Sequence, residues 1–304
     1  MAISKLRIGT RGSQLALIQT EMVAAALKAR NPGLSCEIKI IITKGDKDLA
    51  PIPLDTIGKA WFTKEIEQAI LSDEVDLAVH SLKDLPPERP KGLRYAPVLE
   101  REDPRDVLVT KTKAKLADLL PNAVIGTDSL RRKAELLHRR PDLIVKSVRG
   151  NVETRLSKLK TGDYDGLMLA SAGLSRLGLL DQVTEFLDPS EYVPAIGQGV
   201  LAVEARQNDV ELWDLIRFIQ DKLTVLVVKA EQAFSQVIGG GCKLPIGCYV
   251  RLEAGKAFIH GMVGSMDAME VVVKSVSGSE ADAVMLAKKL AKDLLKEPFM
   301  SSNK

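Results

Sequence analysis

Lys5-Leu6-Arg7-Ile8-Gly9-Thr10-Arg11-Gly12-Ser13-Gln14-Leu15-Ala16 reads as a strand that turns at once into a helix. Residues 5–10 alternate as a strand does. Arg11-Gly12-Ser13 is a tight exit, and Ser13 is placed to cap the helix that follows. Leu15, Ala16, Ile18, Met22, Val23, Ala26 and Leu27 then recur at helical spacing, and Asn31-Pro32-Gly33 closes the run. A strand feeding a helix through a short polar turn is the repeating unit of an α/β sheet.

The chain repeats that unit. Residues 37–43 are β-rich, and Ile40-Ile41-Ile42 predicts a strand buried on both faces. Residues 44–53 read as a polar loop, 62–71 as a helix with Thr63 near its start, and 76–79 as a short strand. That strand runs into His80-Ser81-Leu82-Lys83-Asp84-Leu85-Pro86-Pro87, a loop fixed by its prolines. Strands follow at 94–98 and 106–109. A second series has strands at 123–126, 143–148 and 166–170 and helices at 130–139, 151–159 and 172–177. A loop at 193–199, a strand at 200–204 and helices at 210–219 and 223–237 come next. Residues 248–252, 257–263 and 270–275 then read as antiparallel strands, and 280–295 as a closing amphipathic helix. The expected fold class is α/β, with two doubly wound domains, a cleft between them, and a small C-terminal α+β domain beginning near Phe218.

Composition narrows the function. The 304 residues are 45% hydrophobic but only 4% aromatic, so the cores are expected to be aliphatic. No apolar run approaches a membrane span, and the N-terminus lacks a signal-peptide block. Three cysteines, Cys36, Cys242 and Cys248, are too few and too scattered for a disulfide framework and fit a reducing cytoplasm. Three unpaired histidines offer little to a metal. The net charge of +3 does not draw nucleic acid, and no aromatic stacking platform interleaves the basic residues.

Polar residues gather where strands end. Arg11 and Ser13 follow the first strand, and Ser81, Lys83 and Asp84 follow the strand ending at Val79. Thr127, Ser129, Arg131 and Arg132 follow Gly126, while Arg149 and Gly150 follow Val148. Arg155 and Arg176 lie in the same arginine-rich stretch. Ligands of open α/β sheets bind beyond the carboxyl ends of strands, where helix N-termini also favour anions. A multi-anion site is therefore expected, and phosphate, dicarboxylate or nucleic acid would each satisfy it. Arg139-Arg140 read as a solvated helix face. Asp84 is either a salt-bridge partner of Lys83 or an arginine, or a carboxylate held ready for a cationic intermediate.

Val237-Ile238-Gly239-Gly240-Gly241-Cys242-Lys243-Leu244-Pro245-Ile246-Gly247 cannot hold regular structure, because glycines and a proline break it. Cys242 thus sits on the crest of a turn. By spacing alone this is either a glycine-rich turn that contains a cysteine or a projecting functional thiol.

This stretch resembles the cofactor-attachment loop of the porphobilinogen deaminase (hydroxymethylbilane synthase) family. Ile8-Gly9-Thr10-Arg11-Gly12-Ser13-Gln14-Leu15-Ala16 is similar to that family's N-terminus, and Ala78-Val79-His80-Ser81-Leu82-Lys83-Asp84-Leu85-Pro86 to its catalytic loop. Ile125-Gly126-Thr127-Asp128-Ser129-Leu130-Arg131-Arg132 resembles its main arginine loop. Val148-Arg149-Gly150-Asn151-Val152-Glu153-Thr154-Arg155-Leu156, Leu169-Ala170-Ser171-Ala172-Gly173-Leu174 and Pro194-Ala195-Ile196-Gly197-Gln198-Gly199 also match, in order. The chain departs from the usual pattern at Ile57 and Ala60 around Lys59, at Asp128, and at Lys243.

The resemblance implies a fold like type II periplasmic binding proteins, divided as 1–98 with 200–217, 99–199, and 218–304. It implies a transferase of haem biosynthesis that deaminates and joins four porphobilinogen molecules on a dipyrromethane held by a thioether to Cys242. Asp84 is then the catalytic carboxylate. Lys83, Ser129, Arg131 and Arg132 hold the cofactor, with Asp84, Ser81, Thr127 and Gly150 beside them. Arg11, Ser13, Arg149, Arg155, Arg176 and Lys59 bind substrate or the growing chain. A cytoplasmic monomer, with uroporphyrinogen-III synthase as candidate recipient of the product, completes the expectation. The alternative from another class is a non-enzymatic anion-binding protein on the same fold.

Overall fold

A computed structural model describes residues 3–47, 63–86, 90–239 and 244–301. The first elements are β1 (Lys5–Thr10), α1 (Gln14–Arg30), β2 (Ser35–Ile40), the one-turn α2 (Lys44–Lys47), α3 (Lys64–Leu71), β3 (Leu77–Ser81) and β4 (Leu93–Val98). Then come β5 (Asp106–Thr110), β6 (Val124–Gly126), α4 (Leu130–Arg139), β7 (Ile144–Lys146), α5 (Val152–Thr161), β8 (Gly166–Ala170), α6 (Ser171–Arg176) and β9 (Glu185–Phe186). The chain continues through β10 (Leu201–Arg206), α7 (Val210–Arg217), α8 (Lys222–Ile238), β11 (Ile246–Glu253), β12 (Lys256–Gly264), β13 (Val271–Ser279) and α9 (Ala283–Leu294).

Two compact units result. The first takes residues 3–47, 63–86, 90–102 and 199–225; the second takes 103–198, 226–239 and 244–301. In the first, the sheet order is β2-β1-β3-β10-β4. β1 runs parallel to β2 and β3, and β10 is antiparallel to both β3 and β4. The strand period of two sorts its side chains. Leu77 and Val79 join Leu6, Ile8, α1 and α7 on one face, while Ala78 joins Ile66 and Ile70 of α3 on the other. Full burial of a side chain such as Ile8 or Leu27 stabilises the fold by about 1.5–3 kcal/mol.

The second unit repeats the plan with the order β7-β6-β8-β5-β9. β6 is parallel to β7 and β8, and β5 is antiparallel to β8 and β9. In each sheet the helix-linked parallel strands run second, first, third, and an antiparallel strand follows. β10 fills that place in one sheet and β5 in the other. This is the doubly wound, type II periplasmic-binding-protein-like arrangement expected. The same unit carries the antiparallel sheet β11-β12-β13, covered by α8 and α9 through Ala230, Phe234, Ile259, Ala287 and Leu290. No helix among the described residues is long and apolar enough to cross a membrane.

One strand differs from expectation. β2 is not buried on both faces: it ends at Ile40, which is 57% exposed, because the strand order leaves β2 at the sheet edge. The expected polar loop from residue 44 begins instead with the turn of α2. The loop after Val79 also tightens, since β3 continues to Ser81 and Leu82–Asp84 form one 3-10 turn.

Candidate active site

In the first unit, β1, β2 and β3 are parallel neighbours, so their carboxyl ends share one sheet edge. Ser13 caps α1 as expected, its hydroxyl accepting from the Ala16 N–H at 3.3 Å. Arg11 lies half-buried and donates from Nε to Asp46 Oδ1 at 3.0 Å. Asp46 Oδ2 accepts from Thr43 N–H at 3.1 Å and its hydroxyl at 2.8 Å. Burial opposes ionisation of Asp46, but Arg11 and Thr43 outweigh it and hold the carboxyl below the usual range. Asp46 was not singled out in the sequence.

β3 delivers Ser81, whose hydroxyl exchanges hydrogen bonds with the Gln19 amide of α1 at 3.0 Å. Lys83 is half-buried. Asp84 is exposed at the end of the 3-10 turn and makes no ion pair with any described residue. One residue before Ser81, His80 Nε2 lies 3.2 Å from Glu204 Oε2 on β10, both buried.

In the second unit, β7, β6 and β8 likewise bring three exits to one edge. After β6, Thr127 Oγ1 accepts from Ser129 N–H at 3.2 Å, and Ser129 Oγ caps α4 by accepting from Arg132 N–H at 3.4 Å. Asp128 turns away and accepts from the Ser147 hydroxyl. After β7, Gly150 has φ of +113°, and a Cβ there would lie 2.6 Å from Thr154 Cγ2, so only glycine suits the position. Arg155 Nε donates to Gly150 O at 2.9 Å, and Lys158 Nζ to Arg149 O at 3.0 Å. Arg149, Arg155 and Arg176, the last residue of α6, are half-buried.

Arg131 and Arg132 are set differently from the other arginines: they are 5% and 6% exposed. Asp106, the first residue of β5, receives Arg132 Nη2 at 2.7 Å and stands 2.7 Å from Arg131 Nη2. Glu135 Oε2 accepts from Arg131 Nη1 at 2.7 Å. Val193 O and Met168 O accept from Arg131 Nη1 and Arg132 Nη1 at 2.8 and 3.0 Å, and Gln198 Nε2 donates to Asp106 at 2.8 Å. Burial opposes the charge on Asp106, yet the two arginines hold its carboxyl well below the usual range. Burial, reinforced by Asp106 and opposed by Arg131, pushes Glu135 up to about 8. Sequence reading passed over Asp106 and Glu135, though the four-residue step from Arg131 to Glu135 is a visible helix pair.

The Arg139-Arg140 reading is corrected in part. It holds for Arg139, which is exposed with its guanidinium 5.0 Å over the Tyr192 ring, and fails for Arg140, which donates to Leu119 O at 2.8 Å and to Asp142. Cys242 and Lys59 lie outside the described residues, as do Ile57, Ala60 and Lys243. Cys36 is half-buried and Cys248 lies inside the C-terminal core.

Comparison with known proteins matches residues 6–214 to the model of the porphobilinogen deaminase dipyrromethane cofactor binding domain. Residues 225–296 match the porphobilinogen deaminase C-terminal domain. The chain is 46% identical to a porphobilinogen deaminase of Bacillus subtilis over 299 residues, 95% of each chain. It is 47% identical to that of Syntrophomonas wolfei, over 96% of this chain and 95% of that one. Among solved structures, an ancestral cationic amino acid solute binding protein aligns at a TM-score of 0.46 with 17% identity, over 71% of this chain and 88% of that one.

Proposed function

The chain belongs to the porphobilinogen deaminase family, and we propose how its own residues divide that family's work. It is a transferase of tetrapyrrole biosynthesis that deaminates four porphobilinogen molecules and joins them head to tail, giving hydroxymethylbilane and ammonia. When bound, the dipyrromethane cofactor supplies a terminal ring whose free α-carbon accepts the first substrate unit.

Each pyrrole of substrate and cofactor carries two carboxylates, so a polycarboxylate must be held. The donor set fits one: hydroxyls of Thr127 and Ser129, first-turn N–H groups of α4 and α5, and arginines at strand exits. Arg131 Nε is buried and has no hydrogen-bond partner among the described residues, a donor still to be satisfied. Lys83, Ser129, Arg131 and Arg132 hold cofactor carboxylates, with Ser81, Asp84, Thr127 and Gly150 beside them. Arg11, Ser13, Arg149, Arg155, Arg176 and Lys59 take those of the substrate and growing chain. Asp46 fixes the Arg11 guanidinium through the hydrogen bond from Nε. Cys242 is the thioether tether, supported by the placement of Cys36 on an edge strand and Cys248 in a core.

Asp84 has the chemical task. As ammonia leaves, positive charge develops on the substrate pyrrole amid arginines that oppose it. A carboxylate free of any described ion pair offsets that charge where it develops and takes up the proton released from the pyrrole nitrogen or α-carbon.

The three sheets support a division into 1–98 with 200–217, 99–199, and 218–304. The small number and wide scatter of the cysteines support a cytoplasmic enzyme, which we take to act as a monomer, with uroporphyrinogen-III synthase as candidate recipient of its product. The observation that carries the assignment of roles is the common address of Arg11, Ser13, Ser81, Lys83, Asp84, Thr127, Ser129, Arg131, Arg132, Arg149 and Gly150 at or after the carboxyl ends of parallel strands. Intact mass spectrometry tests it. Active protein should exceed its sequence mass by one dipyrromethane, Cys242→Ser should lack adduct and activity, and Cys36→Ser and Cys248→Ser should keep both. An active wild-type preparation of unmodified mass overturns the tether.

A further inference from the structure

The Arg131–Arg132 cluster contains more acid than two arginines holding a ligand need. Asp106 alone touches both guanidinium groups. Glu135 is a second carboxyl, 1% exposed, paired with Arg131 through Oε2 and also favoured as an anion by the Val193 backbone N–H and the charge of Arg132. Its Oε1 is buried without a hydrogen-bond partner among the described residues, as is Arg131 Nε. Two cations and two carboxylates cancel when both acids are ionised. With a proton on Glu135 the cluster holds one positive charge in excess, buried where little water screens it.

We propose that Glu135 is a proton-linked counter-ion of Arg131, a positioning residue that accepts a proton from solvent when a ligand carboxylate binds at the β6–α4 exit. Ionised, Glu135 occupies Arg131 and cancels its field. Protonated, it leaves the Arg131–Arg132 pair one positive charge ahead of Asp106, and that charge attracts the ligand's carboxylate to Ser129 and the first turn of α4. The proposal rests on the reading that these arginines hold the dipyrromethane.

The surroundings fit a carboxyl that exchanges a proton. Burial and Asp106 favour the neutral form, Arg131, the Val193 backbone N–H and Arg132 oppose it, and the balance places the titration at about 8. Asp106 itself is held ionised by both arginines. Tyr192, from the loop before Val193, is pushed up to about 12 by burial and does not titrate in this range. The C-terminal sheet contributes Met262, Val271 and the partly buried Tyr249 to the cluster around Ala134 and Val193, and its His260, stacked on Tyr249, is pulled below the ordinary imidazole range by burial against the opposing pull of Asp188. Of the two carboxyls in contact with Arg131 and Arg132, Glu135 is thus the one that changes charge near neutral pH.

The test uses the full-length Cys242→Ser chain and a synthetic dipyrromethane tetracarboxylate as the probe. Calorimetry in buffers of different ionisation heat should show proton uptake on binding at pH 9 and little at pH 6.5. Affinity should fall about tenfold between pH 7 and pH 9, the population ratio of a group titrating at about 8. Glu135→Gln in the same background should bind with affinity flat over that range and without proton uptake. Infrared difference spectra at pH 7 should show a protonated carboxyl band that Glu135→Gln removes, a readout independent of ligand. Probe binding without proton uptake at pH 9, or no such band, overturns the role of Glu135 while leaving the arginine pocket standing. Equal binding by Arg131→Leu overturns the pocket itself, and the proposal with it. If Glu135→Gln fails to fold, the proton-uptake measurement on the parent chain still decides.

Discussion

At Asp84 the carboxylate closes a 3-10 turn, exposed and without an ion pair among the described residues. The salt-bridge reading of this residue therefore has no described partner. Asp84→Asn keeps shape and removes charge, so bilane formation at matched cofactor content should drop by roughly 10²-fold or more, with the tether intact. Asp84→Glu should keep part of the rate. Turnover of the Asn variant at the wild-type rate would falsify the catalytic assignment. Arg132 illustrates a second point. Its guanidinium supports the fold as well as any ligand, so Arg132→Leu leaves Asp106 under-compensated and should cost about 3–5 kcal/mol in urea unfolding. A loss of cofactor in that variant must be judged against this. Glu135 carries its own pH signature. Its carboxyl titrates at about 8 in the fold, against 4.5 as the ordinary value, so between these values the folded chain binds more protons than the unfolded one. Its contribution is full below pH 4.5 and is lost as pH rises through 8. Glu135→Gln should therefore gain stability relative to wild type from pH 5 to pH 8, measured by denaturant midpoints; a constant difference refutes the shift. Asp106 acts in a separate window, with stability lost only as pH falls below the ordinary carboxylate range.

Among the elements, α5 shows how a helix start builds a binding exit. Gly150 turns the chain through a left-handed conformation, and Asn151 Oδ1 accepts from Thr154 N–H at 2.8 Å to cap the helix. Gly150→Ala should cost about 1–3 kcal/mol from backbone strain and the contact with Thr154. Asn151→Ala should cost about 1 kcal/mol through the lost cap. Thermal melting checks both, and neutrality of Gly150→Ala would mean that the loop relaxes elsewhere. The place of this exit, between a strand ending at Val148 and a helix beginning at Asn151, was legible in the sequence because both are local signals; the Asn151 cap and the left-handed Gly150 were not read there. The edge place of β2 was not legible, since an isoleucine run reads the same at the centre of a sheet and at its edge.

For the whole molecule, the second unit joins the arginine-bearing exits to the C-terminal sheet. The Cys248 N–H donates to Pro194 O at 3.1 Å, and a Cβ on Gly247 would meet Val193 O at 2.6 Å. Arg131 donates to that same Val193 carbonyl. The strand leading away from the glycine-rich stretch is thus packed on the loop that Arg131 pins. A ligand held only by the folded chain raises stability by mass action, and a covalent one does not dissociate. Holo-protein should therefore melt higher and resist proteolysis longer than the Cys242→Ser chain. Coincident melting curves would count against cofactor contacts in the folded state.

Periodicity, caps and breakers determined most of the strands and helices of this chain, β9 and α2 not among them, and placed Arg11, Asp84, Ser129 and Gly150 at strand exits. Those signals act between near neighbours along the chain. Which carboxylate each arginine meets was decided by tertiary structure alone. Arg11 reaches Asp46 across 35 residues, Arg132 reaches Asp106 across 26, and Gln198 reaches Asp106 across 92. Glu135 stood one helical turn from Arg131 in plain view, but the approach of Asp106 and Val193 to this site, and its burial, come from the fold. Coulomb attraction and desolvation act through space, and strand order, not sequence distance, sets which charges share a low-dielectric site.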